Sequence, residues 1–309
     1  MTTVIVTGGA GFIGSHVVEH FLADGHQVRV IDNLSTGRRS NLDGMTGDLT
    51  LHEASFTDLA AIAPIFDGAE LVYHIGALPS VPRSVEDPLG SHLHNVTGTL
   101  NVLVAARDAG VRRVVYAASS SAYGDAAVDY KVETLAPDPL SPYGAAKLAG
   151  EHYCRAFTAS YGLETVCTRF FNVFGERQDP GSAYAAVIPK FIRLMLDGQS
   201  PVIYGDGAQS RDFTYVANVV QGLRLAADAP EANGKSVNLA MGERCTLLEL
   251  VDKLNGLMGT AIEPTFAAPR PGDILHSQAD ISLAQRVLNY EPQISFEEGL
   301  RRTIASLQA

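Results

Sequence analysis

Three glycines, Gly8, Gly11 and Gly14, sit where a β-branched apolar run from Val4 to Thr7 gives way to an amphipathic stretch from Ile13 to Asp24. A chain with that junction turns from strand into helix within a few residues. Glycine there permits the tight turn, the approach of backbone to a pyrophosphate at the helix N-terminus, and close packing of helix on strand. The spacing is GxxGxxG rather than GxGxxG, and glycines alone are a weak signal. Context strengthens it, because Asp32 ends the next apolar run, 18 residues beyond Gly14. A carboxylate at that point accepts hydrogen bonds from the adenosine ribose hydroxyls and repels a 2′-phosphate, which favours NAD over NADP. Arg38 and Arg39 follow in a loop and slightly weaken that exclusion. The competing reading is a cofactor-free glycine turn with a solvent-facing Asp32.

The first half continues as alternating strand and helix patterns, the signature of βαβ units in a parallel sheet. Strands are expected at Val4 to Thr7, Val28 to Asp32, Leu71 to Ile75, Val114 to Ala118 and Thr165 to Phe170. Helices are expected at Ile13 to Asp24, Leu59 to Phe66, Asn95 to Ala109 and Pro142 to Ser160. After about Phe171 the rhythm breaks into Pro/Gly-punctuated segments with short helices at Ala186 to Leu196, Thr246 to Met258 and Phe296 to Ser306. The expected fold class is α/β: a doubly wound parallel (Rossmann) sheet over residues 1–171, with later segments at about 212–242 contributing, and a smaller mixed α/β domain over 172–309. A net charge of -11 provides no basic footprint for nucleic acid or anionic membrane. Three scattered cysteines, Cys154, Cys167 and Cys245, are too few for a disulfide framework or a zinc site, so no metal is expected and the setting reads as reduced and cytoplasmic. No basic leader precedes the first strand, and no apolar run approaches the roughly 18 residues that cross a bilayer.

Ser141-Pro-Tyr-Gly-Ala-Ala-Lys147 opens a helical pattern, with Ser141 as N-cap and Pro142 at the first helical position. Tyr143 and Lys147 then share one helix face. A tyrosine acts as a base near neutrality only where positive charge stabilises its phenolate, and Lys147 with an oxidised nicotinamide would supply that charge. Taken alone, such a pair is as often a surface feature. Ser119, Ser120 and Ser121 follow a strand at the sheet edge where α/β proteins bind ligands, although serines there are commonly turn formers.

Together these pieces resemble the extended short-chain dehydrogenase/reductase family, and within it the UDP-glucose/UDP-N-acetylglucosamine 4-epimerase branch, over essentially the whole chain. The resemblance implies Ser119, Tyr143 and Lys147 as catalytic triad. It implies NAD held by Gly8, Gly11, Phe12, Ile13 and Gly14 at the pyrophosphate and by Asp32, Asn33, Ser35, Thr36 and Gly37 around the adenosine ribose. Gly76, Ala77 and Pro79, after His74, lie beside the cofactor, as do Phe170 and Val173, and Asn95 resembles the family's helix-stabilising asparagine. Ser55 and Phe56 stand where relatives have an Asp-Ile pair reading adenine, so the carboxylate contact is lost; Val216-Ala-Asn-Val219 departs from a His-Val-Asp-Asp-Val type run, a difference expected to affect packing. On the substrate side it implies Ser80, Arg83, Ser121, Asn172, Val187, Tyr204, Arg211, Arg270, Asp273 and Ser277. Arg211 and Arg270 suit bidentate grip of a diphosphate.

The implied activity is inversion of the C4 hydroxyl of a UDP-hexose through a 4-keto sugar, with NAD regenerated each cycle. Dehydratase relatives carry Thr-Asp-Glu where this chain has Ser119-Ser-Ser121, with no carboxylate until Asp125. Decarboxylase relatives place a glutamate there. A glucuronate 4-epimerase stays open through Arg83, and a silent NAD-binding regulator is the non-enzyme reading. Ser277 falls where a bulky tyrosine restricts some relatives to non-acetylated hexoses, so UDP-GlcNAc and UDP-GalNAc are expected beside UDP-Glc and UDP-Gal. Ser277 could equally be an inert surface serine. Uridine and thymidine are not distinguished. Homodimerisation through helices Asn95 to Ala109 and Pro142 to Ser160 is the family's habit.

Overall fold

A computed structural model describes residues 1–126, 128–181, 186–269 and 275–308. Its centre is a seven-stranded, wholly parallel sheet. Six strands come from the first 170 residues: β1 (Thr3–Thr7), β2 (Gln27–Asp32), β3 (Leu49–Glu53), β4 (Leu71–His74), β5 (Arg113–Ser119) and β6 (Glu164–Phe170). The seventh, Lys235–Leu239, joins the free edge of β6. Helices α1 (Phe12–Ala23), α2 (Leu59–Ile62), α3 (Val81–Glu86), α4 (Pro88–His92), α5 (Gly98–Asp108) and α6 (Pro142–Tyr161) connect the first six strands.

Spatial order fixes where a ligand can enter. From β1 the chain moves outward to β2 and β3, then returns to place β4 on the other side of β1 before continuing to β5 and β6. That reversal opens a crevice beyond the carboxyl ends of β1 and β4. Every residue of β4 and β5 is buried, as expected of parallel strands covered on both faces. Val17, Val18 and Phe21 of α1 pack one face together with Val219 and Leu223; Val102, Leu103, Cys154 and Phe157 of α5 and α6 pack the other. A further cluster, including Phe174, Phe191, Ile192, Phe213, Leu250 and Ile304, holds the C-terminal elements together.

Two strands escape the sequence pattern. β3 is short and half-exposed at the sheet edge. Lys235–Leu239 follows helix Val216–Asp228 and completes one more βαβ unit; the sequence reading expected a contribution from about 212–242 but named no strand there, because residues 171–215 intervene. The expected helix at Asn95 also begins earlier, through α4 and a π turn over Leu93–Thr97. Among the described residues no helix is long and apolar enough to cross a membrane.

Candidate active site

The glycine loop closes the crevice by backbone contact. Gly8 has φ +67°, and a Cβ there would lie 2.6 Å from the Gly76 Cα; one on Gly14 would strike the Gly8 carbonyl. Gly11 is the N-cap of α1 and brings no capping side chain, so first-turn amides remain available to a phosphate. Phe12 and Ile13 follow, half-buried against the C-terminal cluster.

Asp32 is buried at the end of β2, its carboxylate accepting from the Ala10 amide at 3.0 Å and the Leu34 amide at 2.8 Å. An added Cβ on Gly37 would come within 2.8 Å of Asp32 Oδ2, so the loop leaves a cradle around that carboxylate. Asn33 accepts from the amide and hydroxyl of Ser35, with Thr36 exposed alongside. Arg38 pairs with Asp179 at 2.6 Å and Arg39 with Glu53, so both guanidinium groups are engaged. Phe56 is buried against Gly76 and Gly98, with its ring edge-on to His74, while the Ser55 hydroxyl bonds Thr57. Gly76 donates to Thr7 Oγ1; Ala77 is half-buried and Pro79 exposed, since Asn95 holds both backbone groups of Leu78 between them. Phe170 ends β6 and Val173 opens the next short strand, both half-buried. His74 links Thr7 and Thr99 across the crevice floor, and complete burial pushes its pKa down to about 3, leaving it a neutral spacer. These features fit a dinucleotide.

The catalytic candidates meet at the end of β5. Gly150 allows α6 to lie on the Tyr116 ring, since a Cβ there would strike the Tyr116 hydroxyl. That contact sets Lys147 Nζ 2.7 Å from the Ala117 carbonyl and 4.8 Å from the Tyr116 ring centroid. Burial pulls the Lys147 pKa down to about 8. Tyr143, one turn earlier, is raised by burial, while a hydrogen bond with Ser119 acts in the opposite direction. Ser119 is buried, and its Oγ also accepts from the Ser121 amide at 3.1 Å. The three side chains therefore converge as the resemblance implies, but the protein's own groups raise the phenol rather than ionise it. A further positive charge at the site is required for phenolate.

Ser80 caps α3 from a strained conformation, φ 100°, and Arg83, within that helix, is half-buried. Asn172, at φ 33°, donates to the Asp212 carbonyl at 3.1 Å. Val187 starts helix Val187–Leu196, and Tyr204 ends strand Val202–Tyr204, its carbonyl accepting from Gln209. Arg211 donates to the Ser210 and Leu275 carbonyls. Ser277 is buried, not a surface serine. Arg270 and Asp273 lie outside the described residues.

Sequence reasoning passed over three groups. Asp212 accepts from the amides of Met241, Gly242 and Ala279, binding the loops beside Arg211 and Ser277, and burial still pushes its pKa up to about 7. Glu151 and Arg169 form a buried bidentate pair at 2.8 and 2.7 Å behind Lys147. The Ser84 hydroxyl accepts from the Tyr143 amide at 3.1 Å. An RDF triplet, an i+4 carboxylate after Lys147 and an isolated serine were the corresponding sequence traces, none distinctive alone.

Comparison with known proteins shows the family. The pattern of the NAD dependent epimerase/dehydratase family matches residues 4–240. UDP-glucose 4-epimerase of Mycolicibacterium smegmatis is 37% identical over 305 residues, 97% of this chain and 96% of that protein. The structure of UDP-N-acetylglucosamine 4-epimerase from Methanobrevibacter ruminantium M1, in complex with UDP-N-acetylmuramic acid, superposes with TM-score 0.95 at 40% identity, covering 99% and 98% of the two chains. That of the UDP-glucose 4-epimerase of Thermus thermophilus in complex with NAD gives TM-score 0.91 at 36% identity, covering 99% of each.

Proposed function

The chain belongs to the NAD dependent epimerase/dehydratase family, and we propose that within it the protein interconverts C4 epimers of UDP-hexoses, acetylated sugars included. It is an isomerase of the UDP-sugar 4-epimerase type, and NAD is its cofactor. The observation that carries the reading is the meeting of Ser119, Tyr143 and Lys147 at the end of β5, beside the glycine crevice.

In this reading residues 1–171, completed by Val216–Asp228 and Lys235–Leu239, hold NAD, and residues 172–309 hold the nucleotide sugar. Asp32 binds the adenosine ribose, and the Gly8, Gly11 and Gly14 loop receives the pyrophosphate. NAD supplies the hydride acceptor and donor at C4. Tyr143 Oη would take the proton from the C4 hydroxyl and return it to the same oxygen once the 4-keto sugar has turned its other face to the hydride donor. Ser119 orients that hydroxyl and shares the hydrogen bond, while Lys147 adds positive charge beneath the phenol. Arg211 anchors the diphosphate, and few contacts on the hexose permit it to turn over; firm grip at one end and loose grip at the other is what the chemistry needs.

Burial of Ser277 as a small residue opposite Arg211 supports room for an N-acetyl group. The half-buried Arg83 beside Ser80 favours a second reading, a glucuronate 4-epimerase. Exposed Leu89 and Leu93, with Tyr153 and Tyr161 on α6, support a homodimer through this side of the molecule. Three free, buried cysteines suit a reducing, cytoplasmic setting.

The test is incubation of the purified protein, without added nicotinamide, with UDP-Glc, UDP-Gal, UDP-GlcNAc and UDP-GalNAc separately, with products resolved by anion exchange. Each epimer of a pair should approach one equilibrium mixture without net NADH. Four unchanged substrates, or an accumulating dehydrated keto sugar, would overturn the reading.

A further inference from the structure

We propose that Ser84 is a positioning residue for Tyr143, so that α3 sets the placement of the base; this rests on the reading of Tyr143 as that base. The first turn of a helix leaves amides without intrahelical partners, and buried ones need an acceptor from elsewhere. At the start of α6 the first three helical positions are accounted for. Pro142 has no N–H, the Gly144 amide donates to Ser141 Oγ at 3.1 Å, and the Tyr143 amide donates to Ser84 Oγ at 3.1 Å. Ser84 therefore completes the cap of α6 from a different helix.

Its own geometry is over-determined. Ser84 is 2% exposed, its hydroxyl hydrogen is directed at the Val81 carbonyl at 2.7 Å, and its lone pair is thereby left facing Tyr143. α3 is fixed in turn: Ser80 Oγ accepts from the Arg83 amide, and Asn95 holds both backbone groups of Leu78 just before the helix. A rigid link thus runs from the crevice wall, past Ser80 and Arg83, to the Tyr143 backbone amide. The hydroxyl never meets substrate; it holds the first turn of α6 so that the phenol keeps its place against Ser119.

The experiment compares Ser84→Ala, Ser84→Cys and Ser84→Thr holoenzymes, with Tyr143→Phe and the remote core variant Ile192→Val as controls. Ser84→Ala is expected to lower kcat roughly 10- to 100-fold while KM and bound NAD stay unchanged, and to move the acid limb of the kcat profile. Ser84→Thr keeps the acceptor and recovers most of the rate; Ser84→Cys, a weaker acceptor, falls between. Ile192→Val should lower Tm without moving the pH limb. If Ser84→Ala does not fold, the Cys and Thr variants carry the test. Parental kcat and pH profile in the Ala or Cys variant overturns the proposal, as does a parallel loss of kcat, KM and NAD that threonine does not relieve. Full activity in Tyr143→Phe would instead overturn the underlying reading of the site.

Discussion

Ser277 lies directly opposite Arg211, in register across two short parallel strands, and the Asp212 amide donates to the Ser277 carbonyl at 2.8 Å. The residue proposed to admit the sugar's N-acetyl group is therefore hydrogen-bonded, through its backbone, to the strand that carries the residue proposed to hold the diphosphate. Ser277→Tyr should reduce kcat/KM for UDP-GlcNAc and UDP-GalNAc by roughly 10- to 200-fold and leave UDP-Glc and UDP-Gal within a few-fold of the parent. Equal losses on all four sugars, measured by initial rates, would mean that the substitution disturbs Arg211 rather than the hexose space.

Lys147 sets an expectation for pH. Burial holds its ammonium at about 8, below the ordinary 10.5, so its charged fraction declines as pH rises through about 8. kcat should fall on that alkaline limb. Stability should move the other way: burial of the charge disfavours the fold most below about pH 8, and that cost fades towards pH 10.5. Lys147→Arg should be slower but lack the alkaline limb, because guanidinium stays charged above pH ~12. A parent profile flat to about pH 9.5 would show that the reaction does not depend on this charge.

The buried Glu151–Arg169 pair gives an asymmetric prediction for stability. Glu151→Gln leaves the Arg169 cation poorly compensated in the interior and should cost about 3–5 kcal/mol, read as a lower denaturant midpoint. Glu151→Leu combined with Arg169→Met should regain most of that loss. A double variant no more stable than Glu151→Gln would show that Ser236, which also bonds Glu151, needs the carboxylate independently.

Cofactor choice turns on Asp32 and on a pair farther out. Asp32→Ala removes an acceptor of two backbone amides and should weaken NAD binding by roughly 10- to 100-fold. It should not confer NADP binding, because Asp179 holds Arg38. Asp32→Ala with Asp179→Ala frees that guanidinium and should bind NADP more tightly than Asp32→Ala. Calorimetric titration decides, and equal NADP affinity in the two variants would remove the Arg38–Asp179 pair from the account.

The parts legible in the sequence are those written in local patterns. β1, β2, β4, β5 and β6 announce themselves by β-branched runs, and α6 by Ser141 and Pro142 at its start. The meeting of Tyr143, Lys147 and Ser119 was approachable because helix spacing and strand ends are short-range rules. Ser84 was not, since its partner lies 59 residues away and a lone serine carries no pattern. Asp212 was hidden similarly: its acceptor role depends on three amides brought in from residues 241, 242 and 279. β3 was missed because a half-exposed edge strand has no continuous apolar run.

The pairing of Lys235–Leu239 with β6 has a consequence for how the chain comes into being. Until residue 239 has left the ribosome, β6 is an unpaired sheet edge presenting Val166 to Phe170, with Arg169 and Glu151 deprived of the cover that Ser236 provides. The nascent N-terminal half is thus an incomplete sheet with a ready template for strand addition by another chain. Its proper partner is the last strand of the sheet to be made, after the whole intervening segment from 171 to 234, so the growing polypeptide has to keep that edge from strangers for the time it takes to synthesise that segment and the strand itself.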